Sequence, residues 1–419
     1  MPSFFRLLLA AAAISLLAFT ILSCSPDKQA SVCPDKLGCV RVPAGQPLRL
    51  GVIQSLTGKV AAIGNDQVRG FELALARHGG SLLGREVQLV IEDTGCRPEG
   101  GANAALKIVS DPSVVAIFGT TCSADAATAA QVMTEAGLSM ISGNNSAPFL
   151  TAIGGKKAPK WQPGYFRTAP NEEYSGPAAA RYAFEKLGLR QATTINDGDI
   201  YTRGLTDGFR NEFERLGGKV TLSATVNKGD EDMGPVLEAV AAAKPQIVFF
   251  PLFQPEGNRV LEKARKTPGF EDVAFMSDGA LIDQSFIDSV REAAVGMYFV
   301  GPTPAPQSPE LAQLVTEYVA RYSVQPPTDY YVSAFDAASI LFDAITRVGV
   351  KQKDGSVRIG RQALREALYA TKGFKGVAGV LACDDFGDCG RPAFNVLRLD
   401  DPSKGIPGLK ANVVYTYAP

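Results

Sequence analysis

From residue 48 onward the chain alternates short apolar runs with longer stretches whose apolar residues recur every three or four positions. Residues 48–56 form a run of strand length. Residues 66–78 follow, with Val68, Phe71, Ala74 and Leu75 on one face and Gly79-Gly80 at the end, the pattern of an amphipathic helix with a glycine stop. Residues 87–93, 114–119 and 139–142 read as further strands, with helices near 100–110 and 123–136 between them. The alternation restarts at Phe166. Helices near 175–187, 202–216, 234–243 and 256–266 interleave with strands at 192–196, 220–226, 246–252 and 274–277. Repeated βα units call for parallel sheets covered by helices on both faces, and each run holds enough strands for one sheet. The expected fold is therefore α/β, with two doubly wound Rossmann-like lobes. After 297–300 the pattern turns helical at 310–322, 330–348 and 361–370, and two short strands close the chain near 394–399 and 412–417. Linkers are expected at 25–47, polar and proline-containing, and at 301–309, which carries four prolines.

The N-terminus follows another pattern. Arg6 precedes an apolar run over 7–22 broken only by Ser15 and Thr20, and Ser23 stands directly before Cys24. Residues 1–23 read as a secretory signal. Its end resembles the lipobox of bacterial lipoproteins, in which the cysteine is acylated and begins the mature chain. That implies a lipid anchor on Cys24 and a tether over 24–47. A plain secretory signal and an uncleaved membrane anchor are the alternatives.

Composition narrows the chemistry. Lys+Arg number 42 and Asp+Glu 43, a net charge of −1 that offers no basic footprint for nucleic acid. The single histidine, His78, excludes a two-His metal site and makes any Ser-His or Cys-His catalysis depend on that residue. No Gly-x-Ser-x-Gly elbow and no phosphate-binding Gly-x-x-x-x-Gly-Lys-Ser/Thr loop occurs. The expectation is a binding protein, not an enzyme, with no cofactor or metal. Setting Cys24 aside leaves six of seven cysteines. Their spacings suggest local bridges, Cys33 with Cys39, Cys96 with Cys122 and Cys383 with Cys389, although six cysteines allow fifteen pairings. The rival reading, a zinc site, lacks any Cys-x-x-Cys.

Five stretches in order resemble the leucine/isoleucine/valine-binding protein family, the extracellular solute receptors of branched-chain amino-acid ABC transporters. They are Leu50-Gly51-Val52-Ile53-Gln54-Ser55-Leu56-Thr57-Gly58 with Gly70-Phe71-Glu72-Leu73-Ala74; Glu92-Asp93-Thr94-Gly95-Cys96 with Gly119-Thr120-Thr121-Cys122-Ser123; Met140-Ile141-Ser142-Gly143-Asn144-Asn145-Ser146-Ala147-Pro148; Phe166-Arg167-Thr168; and Tyr331 to Ala337. The resemblance spans about 48–400. It implies a type I periplasmic binding protein: two lobes joined by three hinge crossings, lobe one over 48–168 and 301–385, lobe two over 169–300 and 386–419. It implies a monomer, anchored by lipid outside the cytoplasmic membrane, that passes a small polar solute to ABC permease subunits. It also implies the Cys96–Cys122 bridge.

The same resemblance assigns the pocket. Ser123, Asn144 and Ser146 would receive the solute's carboxylate, Tyr201 would close over it from lobe two, and Asp278 would pair with its ammonium. Each has a plainer use: a helix N-cap for Ser123, polar turns for Asn144 and Ser146, a packing aromatic for Tyr201, a capping aspartate for Asp278. Ile63 stands near a position that is aromatic in amino-acid binders and Phe253 near one usually held by tyrosine, so the side-chain end of the pocket is expected to be more apolar. Trp161 and Tyr165 are expected either to rim the cleft or to lie in the core. A ligand-sensing module for amides or amino acids is the alternative function, and a hydrolase with Cys122 or Ser123 as nucleophile a distant third.

Overall fold

Two mostly parallel sheets organise the described residues, 33–419, of a computed structural model. The signal segment and Cys24 lie outside the described residues. The first sheet runs in the order Ser81–Leu82, Arg85–Asp93, Leu48–Gln54, Val114–Gly119, Met140–Ser142, Tyr165–Arg167, antiparallel only at its first pair. Its central strand reads as a nearly unbroken apolar run because helices cover both faces. Leu48, Leu50 and Val52 pack with Phe71, Ile340, Leu341 and Phe342. Ile53 and Ile117 pack with Ala104, Ile108, Ala126 and Ala129 on the other side.

The second sheet runs Lys219–Thr225, Gln191–Asn196, Ile247–Phe249, Ala274–Asp278, Tyr298–Pro302, Phe394–Arg398, Val413–Tyr417; the first five strands are parallel and the last two pairings are antiparallel. The chain leaves the first sheet after Tyr165–Arg167. It returns after Tyr298–Pro302 to pack the helices Pro309–Tyr322 and Tyr330–Val348 against the first core, and rejoins the second sheet at Phe394–Arg398. This is the expected α/β fold of two doubly wound layers.

Three differences from the sequence reading have local causes. The first helix spans Ala61–Arg77 rather than starting at 66. Gly64, within the added turn, allows a close approach, since a Cβ there would stand 2.0 Å from the Ser55 carbonyl oxygen. The segment 24–47, expected to be a tether, contains a strand at Cys39–Val42 that pairs antiparallel with Val357–Gly360 and buries Val40 and Val42. The helix expected over 175–187 is α-helical only at Ser175–Arg181 and widens to a π turn over Tyr182–Lys186.

Cys96–Cys122 and Cys383–Cys389 are bridged, and Cys33 and Cys39 are each disulfide-bonded. The 26-residue separation of Cys96 and Cys122 corresponds to about 3 kcal/mol of chain entropy. Unreduced, denatured protein is therefore expected to titrate no thiol besides Cys24, and reduction is expected to lower its melting temperature. Two or more titratable thiols would contradict this bonding. His78 caps the first helix and meets Phe342 edge-on at 5.4 Å, a packing role. Among the described residues no helix is long and apolar enough to cross a membrane.

Candidate solute-binding site

Strands of both sheets end at one cavity. Val114–Gly119 leads into Thr121, Cys122 and Ser123, and Met140–Ser142 into Asn144 and Ser146. From the second sheet, Gln191–Asn196 leads to Tyr201 and Ala274–Asp278 to Ala280. With Ile63, Phe253 and Tyr330 these residues line the cavity. Carboxyl ends of parallel strands are where open α/β sheets leave their crevice. Ser123, Asn144, Ser146, Tyr201, Phe253 and Ile63, expected from the sequence, all line the cavity. Thr121, Ala280 and Tyr330 complete the wall without having been singled out, together with Cys122, expected from the sequence as a disulfide partner of Cys96.

Donors collect on the first-lobe side. Ser123 opens the helix Ser123–Glu135, and its Oγ accepts the Ala147 N–H at 3.3 Å, which leaves its own proton to donate. The N–H groups of that helical turn point the same way, a favourable end for an anion. Asn144 braces the site, its Nδ2 donating to the Thr121 carbonyl at 2.6 Å. Behind these loops Asp125 accepts from Thr120 Oγ1 at 2.8 Å, and Tyr165 donates to Asn145 at 3.0 Å. Tyr165 is thus core, and Trp161, whose indole N–H donates to the Phe386 carbonyl, does not line the cavity.

Two buried carboxyls stand one layer behind the wall, Asp278 on the second-lobe side and Glu172 behind Ser146. Asp278 is fully buried, accepts the Tyr201 hydroxyl, and keeps Oδ1 without a hydrogen-bond partner among the described residues. It is not itself on the wall. Glu172, which nothing in the sequence singled out, bonds Ser146 Oγ through Oε2 at 2.9 Å and is 3% exposed. Burial raises both carboxyls above their ordinary values, and the negative charge of Asp278 raises Glu172 further. Burial, then those two carboxylates, also raises the Tyr201 phenol, so it stays a neutral donor. The rings of Tyr201 and Phe253 lie 5.4 Å apart, giving an apolar end with Ile63. Among the described residues no Lys or Arg stands on the wall.

The chain segments between the sheets are locked together beside this cavity. Arg167, with no exposure, pairs with Asp388 and donates to the Ala147 carbonyl at 2.7 Å. Asn171 Nδ2 and Thr151 Oγ1 each donate to Asp388 Oδ2 at 3.0 Å. Main-chain bonds from Arg167 to Gly387 and from Cys389 to Arg167 tie the first passage to the third.

The chain resembles known proteins over most of its length. It is 25% identical over 347 residues, 82% of this chain and 88% of the other, to the leucine-, isoleucine-, valine-, threonine- and alanine-binding protein of Pseudomonas aeruginosa. A leucine binding protein from Thermotoga maritima shares the fold with a TM-score of 0.75 at 24% identity, covering 89% of this chain and 99% of that one. An ABC transporter solute binding protein from R. palustris, solved in complex with benzoate, has a TM-score of 0.73 at 22% identity over 89% of this chain and 97% of that one. The family model described as periplasmic binding protein matches residues 47–393. With that span covering the first sheet, the five parallel strands of the second and every wall residue of the cavity, the chain belongs to the periplasmic binding protein family of extracytoplasmic solute-binding proteins.

Proposed function

We propose that the protein captures an amino acid in this cavity and delivers it to an ABC permease, held at the membrane by an acylated Cys24 and acting as a monomer. The observation that carries this reading is the division of charge across the cavity. Hydroxyls and a helix start face it from one side, and a fully buried aspartate with an unsatisfied oxygen stands behind the other. That is the complement of a zwitterion: the carboxylate on Ser123 and Ser146, the ammonium on Asp278. A buried carboxylate without a cation is costly, and an ammonium from the solute relieves that cost. Names of the relatives point to small neutral amino acids. The lobe boundaries are taken at 168/169, 300/301 and 385/386; the first and third fall between strands of different sheets, and the second within the strand Tyr298–Pro302.

Benzoate, bound by one structural neighbour, is the competing ligand class, since Phe253, Tyr201 and Ile63 suit a ring. It brings no cation to Asp278. Mass spectrometry of protein purified from membranes tests ligand and anchor together. Native spectra are expected to show a co-purified amino acid, and denatured spectra a chain beginning at acylated Cys24. A co-purified aromatic acid would overturn the amino-acid reading, and an unacylated chain the anchor.

A further inference from the structure

Glu172 lies on the segment that has just left the first sheet, and it is tied to Ser146 twice. Its main-chain N–H donates to the Ser146 carbonyl at 2.9 Å, and its carboxyl meets the Ser146 hydroxyl at 2.9 Å. The side-chain contact is thus held in register by the backbone. Asp278 and Tyr201 face Glu172 from the second lobe, Tyr330 from the late helix, and Arg167 from the hinge strand. Arg167 is committed to Asp388 and the Ala147 carbonyl, and Glu172 makes no ion pair among the described residues. Asp283 and Asp329, which act on Tyr330, add only further negative charge at this end.

A hydrogen bond between a hydroxyl and a carboxyl has two forms. If Glu172 is ionised, Ser146 must donate to it and offers the cavity lone pairs alone. If Glu172 carries a proton, it donates to Ser146, whose own proton is then free. We propose that Glu172 is a positioning residue: it carries a proton, donates it in a hydrogen bond to Ser146 Oγ, and so turns the Ser146 hydroxyl into a donor for the solute's carboxylate. Two buried carboxyls near each other do not both ionise readily, and Asp278 has the Tyr201 hydroxyl to stabilise its charge. Burial and then the neighbouring Asp278 push Glu172 well above the usual carboxylate range, which favours its protonated form. The role rests on the amino-acid reading only for the identity of the solute, because any carboxylate at Ser146 would feel it.

The sign follows directly. The binding form is the protonated one, so affinity falls as pH rises through the value of Glu172, by up to about tenfold per pH unit for one proton. Calorimetry with L-leucine and with benzoate, from neutral to alkaline pH, on wild type, Glu172→Gln and Ser146→Ala reads this. Gln keeps the shape and donates from its amide at every pH. Wild type is expected to lose affinity with rising pH, Glu172→Gln to bind well with a flatter profile, and Ser146→Ala to bind weakly with no Glu172-dependent slope. Loss of the solute's own ammonium proton is common to all three proteins and cancels in the ratio. Wild-type affinity that rises with pH, or a Glu172→Gln profile parallel to wild type, would overturn the role. An infrared difference spectrum of wild type minus Glu172→Gln, taken without ligand, is expected to contain the carbonyl band of a protonated acid at neutral pH. Its absence overturns the role even if neither probe binds. A band present while benzoate but not leucine binds would leave the role standing and remove the amino-acid reading.

Discussion

Arg167→Met is expected to lower unfolding stability by about 3–5 kcal/mol, the loss typical of a buried pair deprived of one partner. The guanidinium has no exposure and the Asp388 carboxylate little, so water replaces almost nothing of what is removed. Thr151 and Asn171 would still donate to Asp388, but no cation would remain beside it. The Ala147 carbonyl would lose its Arg167 donor as well. Because Ala147 follows Ser146, the damage should reach the cavity as weaker ligand binding. Urea unfolding of Arg167→Met, Asp388→Leu and the double variant separates charge from packing. The double variant is expected to lie closer to wild type than the sum of the single losses, since it leaves no orphaned charge. A single-variant loss below about 1 kcal/mol would mean that the pair behaves as a surface ion pair.

The lobes were legible because each buried parallel strand is an apolar run bounded by turns, and each covering helix shows its stripe. Val114–Gly119 and Tyr330–Val348 have the boundaries their patterns indicate. Cys39–Val42 was missed because its alternation, Val40 and Val42 around Arg41, is too short to stand out in a polar segment, and its partner strand lies far along the chain at Val357–Gly360. Six wall residues of the cavity were legible only through family resemblance: Ser123 and Ser146 are otherwise indistinguishable from capping and turn serines. Glu172 had no such signal. In Asn171-Glu172-Glu173 two adjacent glutamates look alike, yet Glu173 reaches the Gly154 N–H in an exposed bond while Glu172 is buried against Ser146. That distinction depends on how the hinge segment packs across the loop at 143–148, a contact no local pattern encodes.

Asp278→Asn is expected to weaken binding of L-leucine by about tenfold to more than a hundredfold, the equivalent of one charge-assisted hydrogen bond of roughly 1.5–3 kcal/mol. Asn keeps the shape and can still accept from the Tyr201 hydroxyl, so the change isolates the charge. Asp278 lies behind Tyr201 and Ala280 rather than on the wall, so an ammonium must reach its free Oδ1 past those two side chains. Tyr201→Phe is therefore expected to cost less than Asp278→Asn, because it removes a donor that competes with the ammonium for the same carboxylate. The unliganded proteins should order the opposite way. Burial raises the Asp278 carboxyl, so its ionised form costs stability above the usual carboxylate range, and that cost grows until pH passes the raised value. Asp278→Asn is thus expected to melt at a temperature equal to or above wild type at neutral pH while binding leucine worse, the trade expected of a residue kept for its ligand. Benzoate supplies the control. With no cation to lose, its affinity should be unchanged or improved by Asp278→Asn. Calorimetry with both ligands on the same variant decides between them, and equal leucine affinity in wild type and Asp278→Asn would rule out an ammonium at this carboxylate.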